Sequence, residues 1–277
     1  LGKGSDGWCK TVTYKINGVT LTDPARGWKL LRGSIPASAL EYATNNMDIS
    51  GWDGTFTFPT TRKSVSFTFT IKSSLNTRTA LLTLMGSPTL EVTQDDPPRT
   101  NQVAEGRLIS SSVDQYHEAL GYAVDSFVIE IPAGAWRSKT VSTTTKLVAA
   151  TPLATLNLLI GISAPVQDAI VRIQGPITNP QVQDSGGSFF VVTGAIPDGS
   201  YVRFESASGR AWINTTDTWV GGTELTGEVD FGGPRGTFEI TPNYTDPNAR
   251  AGKLTLTQTV RGANSGMVVK ARNSYLF

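Results

Sequence analysis

The chain has 277 residues, with 24 lysines and arginines against 23 aspartates and glutamates. So balanced a charge gives no electrostatic case for sequence-independent nucleic-acid binding or for an anionic membrane surface. One histidine, His117, and one cysteine, Cys9, leave no means of building a zinc site from those residue types or a disulfide within the chain.

Leu1 to Lys10 contains no apolar run, so no signal peptide is read there. Val12, Tyr14 and Ile16 alternate with polar residues, and Asn17-Gly18 leads into Val19-Thr-Leu21, the strongest short-range hairpin signal in the sequence. A second hairpin is expected between Thr55-Phe-Thr-Phe58 and Val65 to Ile71, with Pro59 closing the first strand. One helix follows. Ser74 or Asn76 can cap it, Leu81, Leu82 and Met85 share a face, and Gly86 with Pro88 stops it after about three turns. Gln94 to Arg99, with its double proline, reads as an extended loop. Strands are expected at Arg107 to Val113 and Ala123 to Ile131, with Asp114 to Gly121 between them.

After Trp136 the composition turns to threonine and serine, and no helical periodicity survives beyond Leu147. The boundary is set there, giving domains 1–146 and 147–277. Leu153 to Ile162 is the longest apolar stretch, but Thr155 and Asn157 interrupt it and it is far below the roughly 20 residues that span a bilayer. It reads as a core strand, and no membrane insertion is expected. Ala169 to Ile173 then runs into Gly175-Pro176, with Pro180 close behind. Proline fixes φ and lacks a donor, so the chain should leave one sheet here and enter another along an edge. Further strands are expected at Phe189 to Thr193, Tyr201 to Glu205, Ala211 to Asn214, Thr237 to Ile240, Lys253 to Thr259 and Met267 to Arg272. Gly, Pro, Asn and Asp turns at that spacing indicate a β-sandwich, with Ile170, Phe190, Val202, Phe238, Leu254 and Val268 in its core.

Several stretches together resemble the distal tail protein family of long-tailed (siphovirus-type) bacteriophages. They are Leu21-Thr-Asp-Pro-Ala-Arg-Gly-Trp28 with Gly33-Ser-Ile-Pro36, Gly51-Trp-Asp-Gly54, Val65 to Ile71, Ser163-Ala-Pro165, Asp168 to Ile173, Gly175 to Pro180, Gly194 to Gly199, and Ala271 to Tyr275. The resemblance implies a mainly β protein: an N-terminal β-rich ring domain with one short helix, usually hexameric, then a galectin-like β-sandwich. It also implies a structural role in the virion at the tail tip, with assembly in the bacterial host cytoplasm. The ring would join the tail tube protein to a hub or fibre protein and leave a lumen for transient DNA passage. No catalytic residues carry over from the family, and no enzyme activity or cofactor is expected.

Asn46 to Asp53 places oxygen ligands at alternate positions, but the twelfth position is Thr57 where a calcium loop needs a bidentate acid. His117 has acidic neighbours and Ser110, Ser111 and Ser112 nearby, without a Gly-x-Ser-x-Gly turn, and reads as a solvated loop histidine. Gly232-Gly-Pro-Arg-Gly236 lacks the Lys-Ser/Thr of a phosphate loop and reads as a turn. Glu224 with Glu228 or Asp230 offers paired acids of unknown separation. Asn214-Thr-Thr216 and Asn243-Tyr-Thr245 are glycosylation sequons only in a eukaryotic secretory route. Catalytic, metal and cofactor sites are therefore assigned to none of these residues. Trp212, Trp219 and Tyr201 remain open between sugar-stacking rings and core or interface anchors. A carbohydrate-binding sandwich of a tail fibre or bacterial surface protein is the alternative function.

Overall fold

A computed structural model describes residues 13–33, 42–43, 46–48, 55–57, 61–95, 101–149, 153–245 and 250–276. Cys9, Gly51 to Gly54, the calcium-like Asp53 and the Pro97-Pro98 loop lie outside them. The described residues form two compact units, one from the residues up to 33 and from 62 to 136, the other from those of 42–61 and 137–276.

The first unit is built on an antiparallel sheet. Its strands are β1 (Tyr14–Ile16), β2 (Val19–Thr20), β3 (Lys29–Gly33), β4 (Val65–Ser74), β5 (Leu90–Gln94), β6 (Gln102–His117) and β7 (Tyr122–Ile131), in the spatial order β2-β1-β5-β6-β7-β4-β3. The Asn-Gly hairpin forms as expected, because Asn17 at φ 49° and Gly18 at φ 78° supply the two left-handed residues of a type I′ turn. The expected hairpin between Thr55 and Ile71 does not form. Thr55–Thr57 pairs with Asn46–Asp48, whereas β4 lies between β3 and β7 and has partners on both sides. Alternation fixes the face of a strand and leaves its partner open.

Helix α1 (Leu75–Met85) buries Leu81 and Met85, but Leu82 is exposed, so the apolar stripe is narrower than the sequence suggested. Its amphipathicity is weak, and tertiary anchors hold it: the Arg78 guanidinium donates to the Asp125 carboxylate at 2.7 and 3.0 Å, and the Trp28 indole donates to Thr77 Oγ1 at 3.2 Å. Alternate residues of β4 and β7 meet the aromatic core, where Phe67 lies edge-on to Trp136 at 5.7 Å and Tyr14 edge-on to Phe69 at 5.1 Å.

The second unit is a sandwich, from β8 (Leu153–Leu158), β9 (Ile170–Gln174), β10 (Gln181–Asp184), β11 (Phe189–Val192), β12 (Tyr201–Glu205), β13 (Arg210–Asn214), β14 (Val229–Gly232), β15 (Gly252–Thr257) and β16 (Gly266–Ala271). One sheet carries β16-β9-β12-β13, the other β8-β15-β10-β11-β14. Between β9 and β10 the chain crosses sheets, as the Gly-Pro segment predicted, through the short strand Ile177–Thr178 that pairs with Ala195–Ile196 and Val260–Arg261. Gly175 is required there, because a Cβ would collide with the carbonyls of Ile196 and Pro197.

The sheets meet on three rings. Phe204 of β12 stacks on Phe190 of β11 at 4.3 Å, and Phe238 stands edge-on to both at 5.9 and 5.1 Å. Phe190, Val202, Phe238 and Leu254 are buried as expected, whereas Ile170 and Val268 are only half-buried. The core positions are their neighbours Val171 and Val269, because Ile170 shares its face with Arg172 and Gln174, and Val268 with Lys270. Thr237 to Ile240 is not a strand. Ile240 bridges Val166, the Ser188 hydroxyl donates to the Glu239 carbonyl, and Thr241 N–H donates to the Asp184 carboxylate, so side chains satisfy the backbone that a ladder would otherwise satisfy.

Two predictions follow from this core. Phe204→Ala should destabilise the sandwich by about 3–5 kcal/mol, read as a drop in urea midpoint, because it empties the point where both sheets touch. Burial pushes the Asp184 carboxyl up, against hydrogen bonds from the Thr241 hydroxyl and the Gly186, Thr241 and Ser185 N–H groups. A folded value above the unfolded one favours folding below the unfolded value and loses that contribution as pH rises through the folded one. The urea midpoint of the wild type should therefore fall relative to Asp184→Asn as pH rises from the ordinary carboxylate range through that window. A constant difference across the series would contradict it.

Candidate assembly surface

β6 and β7 form a long hairpin whose distal half has little to pack on. Gln102 to Ala104 are buried and pair with β5, but beyond Gly106 the strand outruns that neighbour. From Ser110 to His117 its ladder is with β7, and the short strand Trp136–Ser138 is a further partner of β6. The sequence reading broke the strand at Asp114; the structure continues it to His117, and the turn spans Glu118 to Gly121. His117 is thus a strand residue, with its ring 4.7 Å from that of Tyr122.

Cross-strand partners place side chains on the same face of a sheet. Val113 is opposite Asp125 and Tyr116 opposite Ala123, so both lie on the face that α1 covers over β7, where Arg78 reaches Asp125. The helix leaves them largely open, with only the Arg78 guanidinium 6.0 Å from the Tyr116 ring: Val113, Tyr116 and the bulge residue Ile109 are each 55% exposed, and Leu120 at the turn is 69% exposed. Register shifts between Leu108 and Ser110 and between Val113 and Gln115 mark bulges, a device that twists a strand edge away from indiscriminate pairing. The opposite flank is polar, with the Ser112 hydroxyl donating to Asp114 at 3.0 Å and Thr70 and Ser126 sharing a hydrogen bond. An apolar ledge on an exposed, bulged strand suits a specific protein contact.

The aromatic residues of the sandwich are engaged. The Arg172 guanidinium lies 4.3 Å from the Trp219 ring and 5.4 Å from that of Tyr201, while Arg203 and Arg210 sit 4.4 and 5.4 Å from the Trp212 ring. Arg172 and Arg203 are directly opposed in the sheet, a repulsive arrangement that the rings and the ion pairs with Asp217 and Glu205 separate. These rings face cations of their own chain.

The other sequence candidates do not converge. Among the described residues His117 makes no hydrogen bond to a serine or an acid, and no group of three histidine, aspartate or glutamate residues is placed to hold a metal. Glu224 is taken by Arg210 at 2.8 Å, and hydrogen bonds from Arg210 and Thr226 hold its carboxyl below the usual range; Asp230 belongs to the other sheet. Gly232 to Gly236 is a turn closed by Gly236 N–H to the Gly233 carbonyl. Asn214 and Asn243 bond within their own loops, to the Gly221 carbonyl and to Thr245. No described helix is long and apolar enough to cross a membrane.

No protein-family model matches the sequence, and no curated protein matches it. Among solved structures, the Dit protein (gp 19.1) of phage SPP1, described as a paradigm of the hub adsorption apparatus in phages infecting Gram-positive hosts, is similar over 96% of this chain and 100% of its own. Its TM-score is 0.59 and its identity 14%. The baseplate of phage P2 in its activated conformation with calcium covers 95% of this chain and 98% of its own at a TM-score of 0.43 and 10% identity. The SPP1 match shows that the chain has the mainly β fold of that protein.

The anchor under the ledge is testable. Asp125 is 1% exposed and bonded twice by Arg78, so Arg78→Ala should cost about 3 kcal/mol by stranding a buried carboxylate, while Arg78→Ala with Asp125→Ala should cost less than the two single losses combined. Additive losses in thermal unfolding would show that the pair is uncoupled.

Proposed function

We propose that this chain is a structural distal tail protein of a siphovirus-type phage, a tail-tip component that closes into a ring between the tail tube and the adsorption apparatus. The observation that carries the reading is the SPP1 Dit fold spanning nearly the whole of both chains. The order of the sequence motifs, from Leu21-Thr-Asp-Pro to Ala271-Arg-Asn-Ser-Tyr, supports it independently. The N-terminal part, put at 1–146, is the ring-forming domain, and 147–277 is the peripheral galectin-like sandwich.

A ring of identical subunits needs a heterologous contact whose rotation closes. The ledge of Val113 and Tyr116 on β6 is well suited to be one half of that contact, because it offers exposed apolar area. The expected ring is a hexamer with the tail tube protein above, a hub or fibre protein below and a lumen for passing DNA. Location in the virion, host-cytoplasmic assembly and the absence of enzyme activity belong to the same reading. The sugar-binding alternative is weaker, because Trp212, Trp219 and Tyr201 each face a guanidinium.

Light scattering and negative-stain imaging of the purified chain should give closed rings of one stoichiometry. Val113→Lys with Tyr116→Lys should convert them to monomers with an unchanged melting midpoint, since both side chains are already solvent-exposed. A wild-type protein that stays monomeric at every concentration would overturn ring closure, and rings that survive the double substitution would move the contact elsewhere.

A further inference from the structure

The hairpin turn borders a second feature at the end of the sheet, with Lys72 and Tyr122 on the face away from α1 and Trp28 on the side where its indole reaches Thr77 of the helix. Tyr122 pairs with Ser74, and Lys72 with Val124, so Tyr122 and Lys72 share that face, and the Lys72 ammonium sits 3.7 Å from the Tyr122 ring. Lys29 of β3 is directly opposite Lys72. Together with Trp28, Leu120 and backbone from Gly27 and Gly121 they line a cavity of about 560 Å³ that has no carboxylate in its wall.

Like charges directly opposed in an antiparallel pair destabilise it. Among the described residues neither lysine has an acidic partner. The nearest acid in sequence, Asp23, is spent on the Ala25 and Arg26 N–H groups and on the Arg26 side chain. Arg26 lies 5.3 Å from the Trp28 ring but is paired with Asp23, so the positive charge of the cavity is that of the two lysines. The cavity therefore concentrates positive charge beside apolar and aromatic walls, and its rim carries Leu120, 69% exposed. A small free anion would use the charge and leave that leucine in water; a polypeptide carrying an acid beside an apolar residue would use both.

We propose that this cavity receives an acidic side chain of an apposed protein segment, its carboxylate between Lys29 and Lys72 and a neighbouring apolar side chain against Leu120 and Tyr122. The proposal does not depend on ring closure, since neither Val113 nor Tyr116 lines the cavity.

Fluorescence anisotropy on the full chain tests it with a labelled Leu-Glu-Leu-Glu-Leu peptide and its Leu-Gln-Leu-Gln-Leu counterpart. The acidic peptide should bind about tenfold or more tightly than the neutral one, and more weakly as salt is raised. Lys29→Gln and Lys72→Gln should each weaken binding at least about fivefold, whereas Lys253→Gln, the same charge loss on the sandwich, should leave it unchanged. Lys29→Gln should also keep or raise the melting midpoint, because it relieves repulsion; a purely structural lysine would lower it. Equal binding of the two peptides, equal loss in Lys253→Gln, or no binding at millimolar peptide would overturn the proposal. Full displacement of the peptide by inorganic phosphate but not by acetate at matched ionic strength would do the same, by making the cavity an oxyanion site.

Discussion

The register between β4 and β7 is the constraint on which the first unit depends. Ten-residue β4 pairs with β7 from Val65 opposite Ile131 to Ser74 opposite Tyr122 without a shift. That register puts Phe67, Phe69, Ile71, Phe127, Ile129 and Ile131 on one face, all essentially buried. A slip of one residue would turn one strand's whole apolar set away from the other's, so the apolar pattern itself enforces the pairing. The same parity places Asp125 where Arg78 of the helix can reach it, and Lys72 and Tyr122 where the helix cannot.

The sandwich solves a different problem, because its outer face carries charge that must be kept compatible with a folded sheet. Along one cross-strand row lie Arg172, Arg203, Trp212 and Glu224 in adjacent strands. Two opposed guanidiniums are tolerated because flat rings cover them and more exposed acids lie at their edges, although Arg172 and Arg203 are themselves buried. The inner face is simpler: Phe190, Phe204 and Phe238 interlock, and the charges stay outside.

What the sequence made legible was local. Asn17-Gly18, the Gly175-Pro176 crossing and most strands of the sandwich declare themselves through turn chemistry and alternation, which act within a few residues. Strand partners did not, because Val65–Ser74 finds Lys29–Gly33 and Tyr122–Ile131 through packing across long stretches of chain. The ledge was missed for a related reason. Asp114-Gln-Tyr-His-Glu looks like a polar loop, but the ladder to core strand β7 overrides that local preference and carries the strand on to His117. No signal in the sequence could have brought Lys29 opposite Lys72, since each alone reads as an ordinary solvated lysine.

The hairpin of β6 and β7 presents its two faces to different chemistry, and strand parity is the cause. Successive side chains alternate, so the residues that leave the core face at the end of the helix, Val113 and Tyr116, are apolar, while those on the reverse, Lys72 and Tyr122, form a cationic and aromatic wall. Neither set contributes to the core: Val113 and Tyr116 are more than half exposed, and the lysine pair costs stability where it stands. The bulges restrain the edge from pairing indiscriminately, yet the apolar residues beside it remain. A strand kept long, exposed and only partly blunted contributes little to folding its own subunit, so its physical rationale lies in contacts made by the assembled protein rather than within one chain.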